Sequence, residues 1–84
     1  MYYCYVLRCA DDTLYTGVTT DLARRLEEHN GGRGSRYTAS RRPVRLVWTE
    51  KHPNRSSAQR REAEIKRWSR RQKEMLVEGE NSRS

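Results

Sequence analysis

The spacing of apolar side chains at the start of the chain predicts a β-hairpin. Residues 2–9 are aromatic and β-branched, which is typical of a strand, and residues 13–18 have the same character. The intervening Ala-Asp-Asp at residues 10–12 is a turn signal. The two segments therefore pair as neighbouring antiparallel strands.

The length of the turn decides which side chains meet across this hairpin. A three-residue loop would place Cys9 opposite Thr13 and Leu7 opposite Tyr15. Tyr5 would then lie diagonal to Tyr15 on the same face, within reach of a long side chain. A two-residue loop would separate the two tyrosines, so the register stays open between these two lengths.

A helical period follows the hairpin. Residues 19–21 (Thr-Thr-Asp) supply N-cap chemistry, and the helix is predicted to end near Asn30, before two glycines. Arg25 and His29 are four positions apart and border the leucine-lined side of this helix. Both side chains therefore share one face next to the core.

The middle of the chain combines a basic loop with a third strand. Residues 31–42 are rich in Gly, Ser and Arg and contain no acid, which indicates a loop. Apolar and polar residues alternate over 44–48, which predicts a strand, and residues 50–55 read as a connection.

The last part of the chain predicts two helices. Ser56, with Gln59 three residues later, forms a capping box at the start of the first, and a break near Ser69 begins the second. Glu62 shares the inward stripe of the first helix with Ala58 and Ile65. The apolar positions continue in the second helix with Met75 and Leu76. Residues 1–77 then form one domain, and residues 78–84 a frayed polar tail.

The distribution of charge along the chain indicates the class of partner. The 84-residue chain has a net charge of +7, and residues 31–84 carry fifteen basic and six acidic side chains. Residues 1–30 carry three basic and five acidic side chains, so the positive charge is concentrated in the later part. Nucleic acid is the leading partner, because arginine suits phosphate, whereas a solvated cationic surface is the simpler alternative.

The sequence also argues against a membrane or secretory role and against zinc. It has neither a signal-peptide pattern nor an apolar run near the roughly 20 residues that span a bilayer. Cys4 and Cys9 fall on opposite faces of one strand, which predicts free thiols in a cytoplasmic protein. With His29 and His52 they match no paired-ligand zinc spacing.

The side chains predicted to lie inward fit the needs of phosphodiester hydrolysis. A carboxylate such as Glu62 suits a divalent cation, and an arginine such as Arg25 suits the phosphate oxygens. A tyrosine serves as a base only where a cation stabilises its phenolate. Tyr5 and Tyr15 are otherwise ordinary packing residues, and Glu62 would be equally satisfied by a structural salt bridge to Arg25.

Taken in order, these segments resemble the GIY-YIG nuclease superfamily, above all its small, stand-alone, single-domain bacterial members. The two signature tripeptides carry Cys4 in place of Gly and Thr16 in place of Ile, at positions that supply backbone and packing. The resemblance covers residues 2–77. The matching segments are residues 4–6, 15–17, 25–29, 34–38, 42–47 and 61–66.

The resemblance implies an α+β fold, β-β-α-β-α-α, with a three-stranded antiparallel sheet flanked by helices. It also implies cleavage of DNA phosphodiesters with one magnesium or manganese ion. By this resemblance, Glu62 would be the metal ligand, Arg25 the phosphate clamp and Tyr5 the general base. Tyr15 would hold the water or the phosphate, and His29 would give hydrogen-bonding support. Gly17 would allow the substrate to approach the backbone closely.

The resulting hypothesis is a structure-selective or nonspecific DNA endonuclease of repair or DNA processing. Its substrates would be branched, nicked or duplex DNA, with a repair protein as a further source of selectivity. The alternatives are a noncatalytic nucleic-acid-binding module and a partner-dependent subunit of a repair complex. The side chains expected to contact nucleic acid are Arg33, Arg36, Tyr37, Arg41, Arg42, Arg60, Lys66, Arg67 and Arg70.

Overall fold

Seven elements follow one another in the computed structural model, which describes residues 1–81. They are β1 (Tyr2–Arg8), β2 (Leu14–Thr19), α1 (Leu22–Asn30), α2 (Arg36–Ala39), β3 (Arg45–His52), α3 (Arg55–Lys66) and α4 (Arg70–Asn81). The order is the predicted one except for the short helix α2, which lies in the segment predicted as loop. Ser35 caps α2, because its hydroxyl accepts a hydrogen bond from the backbone N–H of Thr38 at 3.1 Å.

The three strands form one antiparallel sheet with the order β2-β1-β3, so the predicted α+β architecture is confirmed. The first strand lies at the centre and pairs with a neighbour on each side. Within it, Tyr5 faces Gly17 of β2 and Thr49 of β3. The strand β2 is an edge strand, and this edge positions the site described below.

The hairpin has the three-residue loop that brings the two tyrosines together. Leu7 pairs with Tyr15, and the N–H of Cys9 donates to the carbonyl of Thr13 at 2.8 Å. Asp12 closes the loop with φ = 70°, a left-handed conformation that aspartate tolerates better than most residues. The longer of the two possible loops is therefore correct.

The central strand is buried on both faces. Cys4, Tyr5, Val6 and Leu7 are all at most 2% exposed, so four consecutive side chains enter two separate apolar clusters. One cluster is formed by Cys4, Val6, Trp48, Ile65 and Val77, and the other by Tyr5, Leu7, Cys9 and Val44. The cysteines are free thiols buried in different clusters, as predicted.

Two element boundaries differ from the sequence-based prediction. Strand β3 continues through residues 49–52, because these residues pair with the start of β1 although they are polar and were read as a connection. Helix α3 is capped by Asn54 rather than Ser56, since the Asn54 carboxamide accepts from the N–H of Ser57 at 2.8 Å. The helix therefore begins at Arg55.

The last helix packs differently from the prediction. Val77 is 2% exposed and joins the core, whereas Met75 is 62% exposed, so Met75 was wrongly assigned to the buried side. The change follows from the helical phase, because Val77 shares the core with Ile65 of α3. The backbone stays helical to Asn81, and the predicted tail over residues 82–84 lies outside the described residues.

Candidate active site

A cleft of about 280 Å³ opens beside the edge strand β2 and gathers the residues predicted to be catalytic. Tyr5, Tyr15, Arg25 and Glu62 all reach it, although they come from four different elements. The full lining consists of Tyr2, Tyr5, Tyr15, Gly17, Val18, Thr19, Arg25, Arg55, Gln59 and Glu62. His29 lies directly behind Tyr5.

Tyr5 is almost completely buried, and its ring lies across Gly17 of the neighbouring strand. A Cβ at Gly17 would collide with the hydroxyl oxygen and would come 2.5 Å from Cζ of Tyr5. The glycine therefore makes room for the tyrosine. Gly17 also lines the cleft, and the close approach to substrate that the resemblance implied stays a prediction. The Nε of Arg25 donates to the Tyr5 hydroxyl oxygen at 3.3 Å.

The charge state of Tyr5 reflects this environment. Burial raises the pKa of the Tyr5 hydroxyl above its ordinary value of 10, while the hydrogen bond and the charge of Arg25 oppose that rise. Tyr5 is accordingly a neutral phenol in the substrate-free protein near pH 7. Arg25 is the cation that would stabilise its phenolate.

His29 is fully buried and connects Tyr5 to the loop that follows α1. Its Nε2 is 2.9 Å from the Tyr5 hydroxyl, and its Nδ1 is 2.7 Å from the hydroxyl of Thr38. The ring also meets the Tyr15 ring edge to face, with centroids 5.2 Å apart. Burial, reinforced by the charge of Arg25, lowers the pKa of His29 below 6.5, so the imidazole is neutral at pH 7.

Arg25 is held by three groups and is about one third exposed. Besides Tyr5, it donates to the carboxylate of Glu28 at 3.1 Å and to the carbonyl of Gly34 at 2.9 Å. These contacts fix the guanidinium at the cleft while leaving part of it open to a ligand. A fixed planar donor of this kind suits the oxygens of a phosphate group.

Glu62 faces the cleft from the opposite side on α3. Its carboxylate pairs with Lys66 at 3.1 Å and retains 25% exposure. Within the described residues no ion pair joins Glu62 to Arg25, so the structural salt bridge considered above is not formed. The carboxylate is thus placed at the cleft for a reason other than satisfying Arg25.

The residues present fit a single hard divalent cation held mainly by Glu62. Magnesium keeps several waters and is commonly bound through one or two carboxylates together with substrate phosphates. Residues 1–81 contain no cluster of three or more His, Cys, Asp or Glu side chains that would form a complete protein cage. The Glu62 carboxylate is paired here with the ammonium of Lys66 at 3.1 Å, which a bound cation would replace.

Tyr15 lines the cleft, and its ring begins an aromatic row that continues to Tyr37, which does not line the cleft. It stacks on Tyr37 with centroids 5.9 Å apart, and Arg41 covers the Tyr37 ring at 3.9 Å from its centroid. The ammonium of Lys66 lies 5.9 Å from the Tyr15 centroid. Tyr37 and Lys66, predicted to contact nucleic acid, therefore both lie beside Tyr15.

The other residues predicted to contact nucleic acid are not gathered in the cleft. Arg41 pairs with Asp11, and Arg70 pairs with Asp12, so both are engaged near the hairpin turn, away from the cleft. Arg42 donates to the carbonyl of Ala39 at 2.8 Å. The remaining residues of this group, Arg33, Arg36, Arg60 and Arg67, are exposed and do not line the cleft.

Sequence reasoning missed several residues that line the cleft, of which Arg55 and Gln59 carry chemistry. Together with Glu62 they occupy one face of α3, at the spacings i, i+4 and i+7. The spacing was visible in the sequence, but placing the cap at Ser56 left Arg55 outside the helix. Taking Asn54 as the cap would have added Arg55 to the helix face that Gln59 and Glu62 share.

Comparison with known proteins identifies the class to which this fold and this cleft belong. The family model of the GIY-YIG catalytic domain matches residues 1–75, and the chain therefore belongs to the GIY-YIG family, a nuclease-type family. A UPF0213 protein of Natronomonas pharaonis is 54% identical over 79 residues, which cover 94% of this chain and 93% of that protein. A UPF0213 protein of Staphylococcus haemolyticus is 48% identical, with 92% and 94% covered, so such relatives occur in archaea as well as bacteria.

Two solved structures are similar to this chain. The solution structure of the UPF0213 protein BH0048 from Bacillus halodurans has a TM-score of 0.60 and 48% identity, covering 93% of this chain and 84% of that one. The protein EF2693 from E. faecalis has a TM-score of 0.64 and 46% identity, with coverage of 95% and 85%. Both support the fold described above.

Among residues 1–81, no helix is long and apolar enough to cross a membrane.

Proposed function

We propose that this chain is a divalent-metal-dependent endonuclease that hydrolyses DNA phosphodiester bonds. The observation that carries the proposal is the convergence of Tyr5, Tyr15, Arg25 and Glu62 in one cleft, without an ion pair between Arg25 and Glu62. A module that only binds nucleic acid would not need a carboxylate in its cleft, because a carboxylate repels phosphate. A nuclease needs one to hold a cation.

Arg25 and Tyr5 would act together on the phosphate and the attacking water. The guanidinium donates to the non-bridging oxygens, where negative charge develops during the reaction. Tyr5 takes the proton from the water whose oxygen attacks phosphorus, once its phenolate has formed beside Arg25. Tyr15 lies within the same cleft and would orient the water or the phosphate.

Glu62 would hold one magnesium or manganese ion. Such an ion, when bound, neutralises charge on the phosphate and stabilises the leaving oxygen. The Lys66 ammonium now paired with Glu62 is about half exposed, and an exposed ion pair is worth at most about 1 kcal/mol. Lys66 is therefore easily displaced towards the DNA backbone when the site fills.

The substrate class follows from charge. A net charge of +7 supplies contacts to phosphate groups, which carry no sequence information. We therefore infer that the protein selects DNA by shape, as in branched or nicked substrates, or cleaves duplex DNA nonspecifically. DNA repair or processing in the cytoplasm, with or without a partner protein, is the role we propose.

Cleavage by two matched glutamate variants tests this function. We expect Glu62→Gln to lose metal-dependent cutting while retaining DNA affinity, because the amide keeps the shape but not the charge. Glu64→Gln is the control, since Glu64 lies on the same helix, pairs with Arg61 and does not line the cleft. The panel contains duplex, single-stranded, flap, nicked and four-way-junction DNA and one RNA, each with magnesium, with manganese and with a chelator.

The outcomes separate the alternatives. Cutting that disappears in Glu62→Gln and with the chelator, but persists in Glu64→Gln, supports the nuclease and shows its preferred shape. Equal cutting by both variants would refute the role of Glu62. Salt-sensitive binding without cutting of any substrate would favour the binding module or the partner-dependent subunit.

A further inference from the structure

The segment formed by residues 34–38 closes over the buried histidine behind the cleft. Its last residue, Thr38, is fully buried and places its hydroxyl 2.7 Å from Nδ1 of His29. Its first residue, Gly34, also lies against the ring, since a Cβ there would collide with Nδ1 and come 2.5 Å from Cγ. The segment is thus shaped to the imidazole.

The hydrogen bonds at Tyr5 determine which nitrogen of His29 carries the proton. The Tyr5 oxygen accepts from Arg25, which is only ever a donor. The Tyr5 hydroxyl proton still needs an acceptor, because the residue is only 2% exposed, and Nε2 of His29 lies 2.9 Å away. With Nε2 as that acceptor, the proton of the neutral ring lies on Nδ1.

The hydroxyl oxygen of Thr38 is placed to accept a hydrogen bond from Nδ1–H. Its own hydrogen has acceptors in Ser35, whose hydroxyl is 3.0 Å away and whose carbonyl is 3.4 Å away. The hydroxyl of Ser35 in turn accepts from the backbone N–H of Thr38 as the cap of α2. Helix α2 therefore fixes the direction in which the Thr38 oxygen faces the ring.

We propose that Thr38 is a positioning residue that sets the tautomer of His29, so that Nε2 can take the proton of Tyr5. In this step the O–H bond of Tyr5 breaks, an N–H bond forms at Nε2, and the resulting phenolate is held by Arg25 and by the new N–H. The inference rests on the proposed function for its catalytic meaning. The tautomer itself is a property of the free protein.

The proposed role of Thr38 explains why residues 34–38 lie beside both His29 and Arg25. The carbonyl of Gly34 accepts from Arg25 at 2.9 Å, and Thr38 contacts His29. One short segment thereby supports both the phosphate clamp and the partner of the base. A loop that only connected α1 to β3 would need neither contact.

The first test is the protonation of the His29 ring in the free protein, read from nitrogen–proton correlation spectra at neutral pH. We expect the wild type to carry its proton on Nδ1. We expect Thr38→Ser to keep this state and Thr38→Val, which has nearly the same shape without the hydroxyl, to lose the preference. A wild-type ring protonated on Nε2 would overturn the inference and leave the proposed nuclease function standing.

The second readout is steady-state cleavage with the same variants. We expect Thr38→Val to lower kcat by about 10- to 100-fold, since a positioned general base contributes about 10²–10⁴-fold, with little change in KM. Thr38→Ser should restore most of kcat. If Thr38→Val does not fold, Ser35→Ala replaces it, and an unchanged tautomer and kcat there would count against the network. If the ring is protonated on Nδ1 but the protein cuts no substrate, the inferred tautomer stands and the proposed nuclease function is refuted.

Discussion

Replacing Gly17 by alanine adds one methyl group at the position where the Tyr5 ring crosses β2. The backbone at Gly17 is outside the left-handed region, so the cost of the change is steric. The new Cβ would be 2.5 Å from Cζ and 3.0 Å from Cε2 of Tyr5. Carbon atoms pack at roughly 3.5–4.0 Å, so the ring must retreat by about 1 Å.

Tyr5 cannot make this movement freely, because β1 is paired on both sides. A shift of that size stretches the hydrogen bonds to His29 and Arg25, which are 2.9 and 3.3 Å long, beyond useful range. Overpacking of a core costs about 1–3 kcal/mol, and misplacement of a catalytic group by 1 Å costs about 10²-fold in rate. We expect Gly17→Ala to show both effects.

Thermal unfolding and cleavage measured on the same samples test this reasoning. A loss of 1 kcal/mol lowers Tm by about 4–8 °C in a domain of this size. Gly79→Ala is the matched control, since among the described residues a Cβ in that position meets nothing within 4 Å beyond its own helix and chain neighbours. Alanine favours a helix by about 0.8–1 kcal/mol over glycine, so the control should not destabilise the protein. Wild-type Tm and cleavage in Gly17→Ala would refute the steric argument.

Two further predictions follow from the charges around the cleft. Arg55→Ala should weaken DNA binding and reduce the slope of log K against log salt by about 0.9, as for one lost phosphate contact. Arg71→Ala changes an exposed residue on α4 outside the cleft lining and should reduce both the affinity and the slope less. Equal effects would exclude a special role for Arg55. The pKa of His29 is lower in the folded protein than in the unfolded chain, so the unfolded chain takes up a proton at a higher pH. The free energy of unfolding should therefore fall as the pH drops below 6.5. Urea unfolding between pH 7.5 and 5 should show this fall in the wild type and a smaller one in His29→Asn.

The sequence predicted which side chains turn towards the cleft or the core better than it predicted the packing around them. Helical spacing placed Arg25, His29 and Glu62 on inward faces, as the structure has them. The hairpin register stayed open between two loop lengths, and only the structure shows the three-residue loop. Whether Arg25 and Glu62 pair with each other was undecidable, because the answer depends on the distance between two helices that are separate in sequence. The structure places Glu28 beside Arg25 and Lys66 beside Glu62.

Local competition between caps explains what was missed on α3. Asn54 and Ser56 are both good N-cap residues, and choosing the later one removed Arg55 from the helix face that lines the cleft. The contact between Thr38 and His29 was invisible for a different reason. A short helix inside a Gly- and Ser-rich segment has no periodicity to reveal it, and only tertiary packing brings its hydroxyl to the ring.

The position of Tyr5 in the central strand divides the site into a rigid part and an adaptable part. Releasing Tyr5 requires breaking strand pairs on both sides, so its fluctuations are tied to global unfolding of the sheet. Arg25 belongs to the rigid part, because its guanidinium is held by Tyr5, Glu28 and Gly34, whereas Glu62 pairs with the half-exposed Lys66 on a surface helix. The carboxylate can therefore shift with the group that it binds without disturbing the residue that would activate water.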